Sequence, residues 1–533
     1  MLNTHYRFAI VAVVLALAAI SAIFAAWVFS RSSVSVQDVI QQIIPTDSSG
    51  DDSDSDSDSD LDSDGSSDAS LKTTLFATML AFNTNEGLRG VPNGPQLLTE
   101  GWSTILADSK SYTKFFSQLE RAFEKNVALV EETGFSSNRD VVASFVWNVI
   151  EPTKGTYDWT IPDLTAKSAG AADIKISGVM QPFVNWDQTD ITAEEYKEKC
   201  SAIDFGYYDF KAGQVSDWEA FEKFLTATVE RYDGDGKNDM PGLTTRVEAW
   251  EIGNEIEGSC GGFSGDPEGY IELLSASYRI IKEADPTAIV LNGGALEVLG
   301  FDGQKTREIG EFWESFFALG GDQYLDVFNF HHNHERGGAD ETPDRWVRTL
   351  EFFNELMADS DGKKPLWVTE FGTYSGTPSA PGRPGSAPSS SQTLTTQSAE
   401  FQASWYFRYS VIGFANGLER IFMDLKGDDK AGIGASSLYN DGPGKDGVPR
   451  AFLATLQGMS QIIDGFDSVK EIADGQYLFN VDDRDVYALW DGQLPGPLAG
   501  KSLVVMGLDG EEQTLEADEI IYSEEAPVLA FVD

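Results

Sequence analysis

Two short segments of the chain place a carboxylate where an apolar run ends. Trp250-Glu251-Ile252-Gly253-Asn254-Glu255 and Leu366-Trp367-Val368-Thr369-Glu370-Phe371-Gly372 each lead from Val-, Ile- and Trp-rich sequence into a glutamate, with Glu255 and Glu370 115 residues apart. An apolar run that stops at a polar residue beside Gly reads as a buried strand emptying into a loop. Two carboxyls presented in this way can divide one reaction between them. One, protonated, gives its proton to a leaving oxygen; the other, ionised, attacks or stabilises the cationic centre that develops. Cleavage of a glycosidic bond needs that division, and it needs surroundings that push the two pKa values apart. Trp250 and Trp367 are expected to supply apolar walls beside the pair. A lone Asn-Glu is more often a surface or helix-capping residue, so the weight rests on the two segments together.

Bringing two strand ends to one place requires a scaffold of parallel strands. From Thr73 onward apolar runs alternate with helical periods, the signature of βαβ units. Candidate strands are Leu75–Phe82, Val141–Trp147, Ile174–Phe183, Val247–Ile252, Ala288–Asn292, Val327–His331, Pro365–Thr369 and Arg420–Asp424. Eight is the number a closed (β/α)8 barrel needs, and in such barrels chemistry sits where strands end. One helix is well marked. Asp266-Pro267 opens it, Tyr270, Leu273, Leu274, Ser277 and Ile281 form its apolar face, and Asp285-Pro286 closes it. Beyond Asp464 the helical period gives way to short alternating runs, Tyr477–Val481, Val486–Trp490, Leu503–Met506 and Val528–Val532, which read as a small β domain. The Pro-, Gly- and Ser-rich stretch Ser375–Gln392 follows the second glutamate and reads as a long loop at the barrel mouth.

With 533 residues, 41% hydrophobic and 12% aromatic, the chain can bury a large core. Ten aspartates between Asp47 and Asp68 supply −10 of the net charge of −48, leaving −38 for the remainder. So acidic a surface repels nucleic acid and anionic membranes and tolerates a neutral sugar polymer. Arg7 followed by an apolar run from Phe8 to Phe29 is long enough to cross a bilayer. It reads as a membrane anchor, with a cleaved signal peptide as the alternative. Positive charge before the run and acidic sequence after it place the bulk of the protein outside the cell. The expected organisation is an anchor over 1–31, a disordered Ser/Asp-rich linker over 32–72 with the repeat Ser53-Asp54-Ser55-Asp56-Ser57-Asp58, a barrel over 73–464 and a C-terminal β domain over 465–533.

Counted along these strands, Asn254-Glu255 follow the fourth and Glu370 ends the seventh. In this the chain resembles glycoside hydrolase clan A over residues 73 to 464. The resemblance implies a retaining enzyme with Glu255 as general acid/base, Glu370 as nucleophile and Asn254 on the sugar 2-hydroxyl, and it implies no cofactor. Arg139 matches the clan's arginine that keeps the nucleophile ionised; an ordinary ion pair is the bland reading. The segment Trp147-Asn148-Val149-Ile150-Glu151-Pro152, with Tyr157-Asp158-Trp159, is similar to the second-strand loop of several members. After the sixth strand the clan often shows Asp, His and Tyr at set intervals. Here Asp326 and His331 fit, and Asn333 stands where Tyr would, so a tyrosine contact to the nucleophile would fall to Tyr374 or another residue. Within the clan the chain looks most like family 39, which includes β-xylosidases and α-L-iduronidases; families 5, 42 and 51 share these features.

Weaker signals complete the reading. Trp186 after the third strand can stack on a sugar ring or pack in the core. Asp233-Gly234-Asp235-Gly236-Lys237-Asn238-Asp239 spaces carboxylates like a calcium loop, yet has Lys at the fifth place and no Gly at the sixth; a plain acidic turn is the other reading. Cys200 and Cys260 are expected on neighbouring loops at the catalytic face, where an extracellular disulfide would pin them. His331, His332 and His334 crowd one strand end, a poor tetrahedral set for zinc, so they are expected to contact sugar. The functional expectation is a membrane-tethered glycosidase acting on oligo- or polysaccharides outside the cell. Its rivals are a non-catalytic carbohydrate-binding cell-surface protein on the same barrel and a transglycosylase using the same residues.

Overall fold

The computed structural model describes residues 75–79, 120, 123–124, 127–140, 144–188, 191–192, 195–196, 213–258, 260–299, 306–333, 343–358, 363–373, 375, 397–424 and 451–532. All lie in the compact unit Ala69–Asp533. The expected anchor and linker lie outside the described residues. Among the described residues no helix is long and apolar enough to cross a membrane.

Eight strands form one sheet: β1 (Phe76–Met79), β2 (Ser137–Asp140), β3 (Lys175–Met180), β4 (Val247–Ile252), β5 (Ile289–Asn292), β6 (Phe328–Asn333), β7 (Leu366–Gly372) and β8 (Leu418–Asp424). Their order is β5-β4-β3-β2-β1-β8-β7-β6 and every pairing is parallel. The ends of this order are joined by parallel bridges Leu291↔Val327 and Ala295↔Phe330. There Ala295 N donates to Asn329 O at 3.0 Å and His331 N to Ala295 O at 2.8 Å. The sheet is thus nearly closed into a barrel, with helices between successive strands: α1 (Thr160–Ala171), α2 (Trp218–Tyr232), α3 (Pro267–Ala284), α4 (Arg307–Ala318), α5 (Pro343–Ala358), α6 (Ala399–Ala415) and, after β8, α7 (Ala451–Ile463).

Helix α3 begins where expected because Asp266 accepts from Gly269 N and Pro267 occupies the first turn. It buries Tyr270, Leu273, Leu274, Ser277, Ile280 and Ile281. Truncating one of its leucines to Ala would cost about 2–5 kcal/mol. The barrel interior has an apolar layer of Ala77, Ala249, Leu291, Trp367 and Phe422 from five strands, with Val327 just before β6. Polar buried residues, Arg139, Glu251, Asn292, Asn329 and Thr369, occupy other interior positions. Asn292 Nδ2 donates to Asn329 O and Asn329 Nδ2 to Thr369 Oγ1, each at 2.8 Å.

The second strand departs from expectation. It is Ser137-Asn138-Arg139-Asp140, all four buried, and the apolar segment expected in its place gives a bridge at Val146 and a helical turn, Trp147–Ile150. Polar residues form this strand because each face offers them partners: Arg139 meets glutamates in the barrel interior, and on the opposite face Thr78 Oγ1 donates to Asn138 Oδ1 at 2.7 Å. The apolar segment goes outward, where Trp147 stacks on Phe224 of α2 at 5.4 Å.

After α7 a six-stranded antiparallel sheet follows: β9 (Ser468–Ala473), β10 (Gln476–Val481), β11 (Arg484–Leu489), β12 (Ser502–Met506), β13 (Glu512–Glu516) and β14 (Val528–Phe531), in the order β13-β12-β14-β11-β10-β9. Its period of two separates two faces. Phe479, Val486, Ala488, Trp490, Leu529 and Phe531 join the barrel's core, while Tyr487, Leu489, Leu503, Val505 and Ala530 form a core of their own. β9 and β13 are mostly exposed, which is why no apolar alternation marked them.

Candidate active site

Glu255 stands in the turn after β4, Glu370 on β7 and His331 on β6, the strand next to β7 in the sheet. The closure between β5 and β6 therefore makes the short path from one glutamate to the other. One carboxylate oxygen of each glutamate and a ring nitrogen of His331 all lie within 4.8 Å of one another. His331 Nδ1 is 3.0 Å from Glu255 Oε1 and 3.7 Å from Glu370 Oε2. Both glutamates keep some exposure, 30% and 17% of the side chain, as groups that meet a ligand must.

Arg139 lies beneath the pair and is fully buried. Its Nη1 donates to Glu370 Oε1 at 3.0 Å, its Nη2 to Asn254 Oδ1 at 2.7 Å, and Nε and Nη2 grip Glu251 Oε2 and Oε1 at 2.7 and 2.6 Å. Burial opposes the guanidinium charge, and Glu251 and Glu370 outweigh it and hold its pKa above the ordinary value. Glu370 is thus held as a carboxylate by a fixed cation. Because Asn254 Oδ1 accepts from Arg139, its Nδ2 is the group left to meet a ligand hydroxyl. For His331, burial works against the imidazolium, and Glu370 with Glu255 outweighs it, so the pKa is raised.

The backbone here is specialised. Glu255 has φ 49°, and Gly253 before it has φ 86°; the first is a conformation glutamate seldom adopts, of a kind found at functional sites. Behind His331, Gly294 leaves no room for a side chain: a Cβ there would lie 2.1 Å from His331 Nε2 and 3.0 Å from Glu251 Oε1.

Other expected residues are placed elsewhere. Trp250 turns outward onto Phe145, ring centroids 5.0 Å apart, and Trp367 lies in the interior apolar layer. The expected apolar walls are therefore corrected: strand alternation sends Trp250 outward, Trp367 lies deeper in the interior near the start of β7, and charged groups flank the pair instead. His332, expected to contact sugar, is fully buried, its ring tilted against Trp346 with centroids 4.3 Å apart and its Nδ1 2.7 Å from Glu297 Oε1. Neighbours on a strand face opposite sides, so His331 and His332 cannot both face the mouth. Arg345 pairs with the same Glu297. Asp326 sits at the other end of β6, bound to Lys282 at 2.7 Å and Val290 N at 2.8 Å. Trp186 donates Nε1 to Glu151 O at 2.8 Å, meets Trp147 at 5.2 Å and has Lys154 over its ring at 5.7 Å. Tyr374, His334 and Cys200 lie outside the described residues. Cys260, in the turn after β4, is disulfide-bonded.

Glu251 and Glu257 were given no role by sequence reasoning. A glutamate inside the apolar run of β4 is itself a signal, since a buried carboxylate must find a cation. Among the described residues two groups have metal-ligand chemistry. In the first, Glu255 with His331 and Glu370, the Arg139 guanidinium already supplies the positive charge a metal would bring. In the second, Asp233, Asp235 and Asp239, most of the carboxylate oxygens meet partners within the loop, while Asp239 Oδ1 is buried with no hydrogen-bond partner. Asp235 pairs with Lys237 at 2.6 Å, Asp239 Oδ2 accepts from Gly236 N at 2.9 Å and Asp233 Oδ1 from Asp235 N at 3.0 Å. Burial, with the Asp239 carboxyl beside it, pushes Asp233 up to about 6.

No family model and no curated protein matches the chain. Solved structures do. A family 39 glycoside hydrolase from the gut symbiont Bacteroides cellulosilyticus WH2 matches 77% of this chain and 78% of its own at 16% identity and TM-score 0.50. A family 39 β-xylosidase from Caulobacter crescentus matches 87% and 97% at 12% identity and TM-score 0.50. The family 39 enzyme from Xanthomonas axonopodis pv. citri matches 86% and 94% at 13% identity and TM-score 0.50. The resemblance to family 39 is thereby supported at the level of fold, an eight-stranded parallel barrel followed by a β-sheet.

Proposed function

We propose that the chain is a retaining glycoside hydrolase with Glu370 as nucleophile and Glu255 as general acid/base. The observation that carries this reading is the pair of carboxylates with oxygens within 4.8 Å of each other, one against a buried guanidinium and the other against an imidazole. Retaining enzymes need a carboxyl separation of about 5–5.5 Å, inverting ones about 6.5–9.5 Å. Arg139 holds Glu370 Oε1, so attack on the anomeric carbon comes from Oε2. With His331 Nδ1 at Glu255 Oε1, the proton given to the departing oxygen is carried on Glu255 Oε2. In the second step Glu255, now ionised, takes a proton from water as it attacks the glycosyl-enzyme. Asn254 Nδ2 would meet the hydroxyl next to the anomeric carbon. No cofactor enters this scheme.

The β-xylosidase among the similar structures makes an aryl β-D-xyloside the first substrate to offer. Turnover by the full chain that vanishes in Glu370→Ala establishes the reading. Silence from the parent on a panel of aryl β-glycosides and on polysaccharides, with the fold intact, favours the carbohydrate-binding alternative. The N-terminal apolar run is proposed to tether this activity to the outer face of a cell membrane. Recovery of the full chain in the soluble fraction of a lysed cell would refute that tether.

A further inference from the structure

The turn after β4 holds Glu255 at φ 49°, a conformation that costs about 1–3 kcal/mol and persists only where its surroundings impose it. Inside the turn, Gly258 N donates to Glu255 O at 2.9 Å and Phe263 N to Ile256 O at 3.0 Å. These bonds fold the turn on itself but tie it to nothing else. Gly253 N, donating to Met180 O at 2.8 Å, and Asn254, accepting from Arg139, tie the start of the turn to the barrel; past Glu255 a further tie comes from Glu257, which is 5% exposed. Its Oε1 accepts from Leu296 N, beyond β5, at 2.6 Å and from Trp313 Nε1, on α4, at 2.8 Å. Its Oε2 is buried with no hydrogen-bond partner.

A carboxyl that uses one oxygen twice as acceptor and buries the other unpartnered is suited to be a neutral acid. Burial pushes Glu257 up to about 7, against the pull of the Trp313 and Leu296 donors and with the Glu255 charge adding to the rise. Among the described residues the titratable groups that face it are Glu255 from its own turn and Tyr270 from α3; α4 presents an indole and the segment after β5 a backbone N–H. Tyr270 is itself fixed, donating to Ile252 O at 3.0 Å and accepting from Gly293 N at 2.7 Å.

We propose that Glu257 is a positioning residue of the acid/base, an anchor that pins the left-handed turn to the β5 segment and α4 so that Glu255 meets His331. This rests on the functional reading above. The folded-state pKa lies above the ordinary value of 4.5, so the stability tied to the protonated form is full below about 4.5 and is lost as pH rises through about 7. Ionisation also places a second buried negative charge two residues from Glu255.

The test compares the full chain with Glu257→Gln, which keeps the acceptor and cannot ionise, and Glu257→Ala, which removes it. Melting temperatures across pH 5 to 8 and kcat and KM on an aryl β-glycoside are read for each. Expected are a parent melting temperature that falls over this range and a flatter Gln variant. The Gln variant is also expected to keep kcat and to carry its activity to higher pH. The Ala variant should lose about 10²-fold in kcat with KM within about twofold. Equal kcat in all three, or a Gln variant with the parent's stability slope, would overturn the inference. The stability arm needs no turnover, so a parent silent on every glycoside sinks the functional reading while the Glu257 comparison still gives its own answer. An Ala variant that does not fold leaves the decision to the Gln variant.

Discussion

The Arg139 guanidinium meets the Glu251 carboxylate side-on, Nε 2.7 Å from Oε2 and Nη2 2.6 Å from Oε1, with both side chains fully buried. Glu251 neutralises the cation from one side, and the guanidinium's remaining donors turn to Glu370 and Asn254. Removing one partner of such a pair strands a buried charge, at about 3–5 kcal/mol, whereas replacing both by apolar groups is often near neutral. Arg139→Met is therefore expected to lose about that much stability in urea denaturation. Adding Glu251→Leu should return most of it, while activity stays lost in both because Glu370 is no longer held. A double variant as unstable as the single one would show that the pair does not act as a unit.

The two carboxyls should separate by chemical rescue. Glu255→Ala removes the proton donor, and general acid catalysis is worth about 10²–10⁴-fold. An aryl glycoside with an acidic leaving group needs little help in departing, so its glycosyl-enzyme should still form and azide should release a glycosyl azide of retained configuration. In Glu370→Ala azide takes the nucleophile's place directly, and the product should be inverted. Product configuration read by NMR decides the assignment; the same configuration from both variants would refute it.

What the sequence revealed follows physical lines. β4 and α3 were legible because each has one face that must be apolar, and Asp266-Pro267 marks the helix start as no other pair would. The exact bounds of β4, Val247–Ile252, came from the stop at Gly253. The second strand was misread because Ser137, Asn138 and Arg139 spend their side chains on polar partners on both faces of the sheet, so its burial leaves no hydrophobic trace. The pairing of Glu255 with Glu370 could be expected from two similar strand ends. The roles of Glu251 and Glu257 depend on Arg139, Leu296 and Trp313, residues remote in the chain, and no local pattern announces them.

Gly294 tests how closely His331 must be placed. It has φ 24° and faces the ring, and a methyl group there would fall 2.1 Å from Nε2. Since neither His331, fully buried, nor Glu251 has space behind it, Gly294→Ala must push the imidazole toward the carboxyls or move the β5 segment. Overpacking of this kind costs about 1–3 kcal/mol, and a shift near 1 Å at the reacting groups about 10²-fold in rate. The expected result is a moderate fall in melting temperature with a much larger fall in kcat. Parent-like kcat would mean that His331 tolerates displacement and does not orient Glu255.

His331 should also write itself into the pH dependence of stability. Its pKa is raised from 6.5: burial alone would lower it, and the Glu370 and Glu255 carboxylates more than reverse that. The folded state therefore holds the proton more tightly than the unfolded chain. The stability this supplies is full below about 6.5 and drains away as pH climbs through the folded-state value. The gap in melting temperature between the parent and His331→Gln should accordingly be widest near pH 6 and narrow toward pH 9. This window lies above that of Glu257, whose contribution runs from 4.5 to about 7, so one titration of the parent against the two Gln variants separates them. A gap that widens as pH rises would mean that the imidazole is held neutral, and that the acidic groups around it do not outweigh its burial.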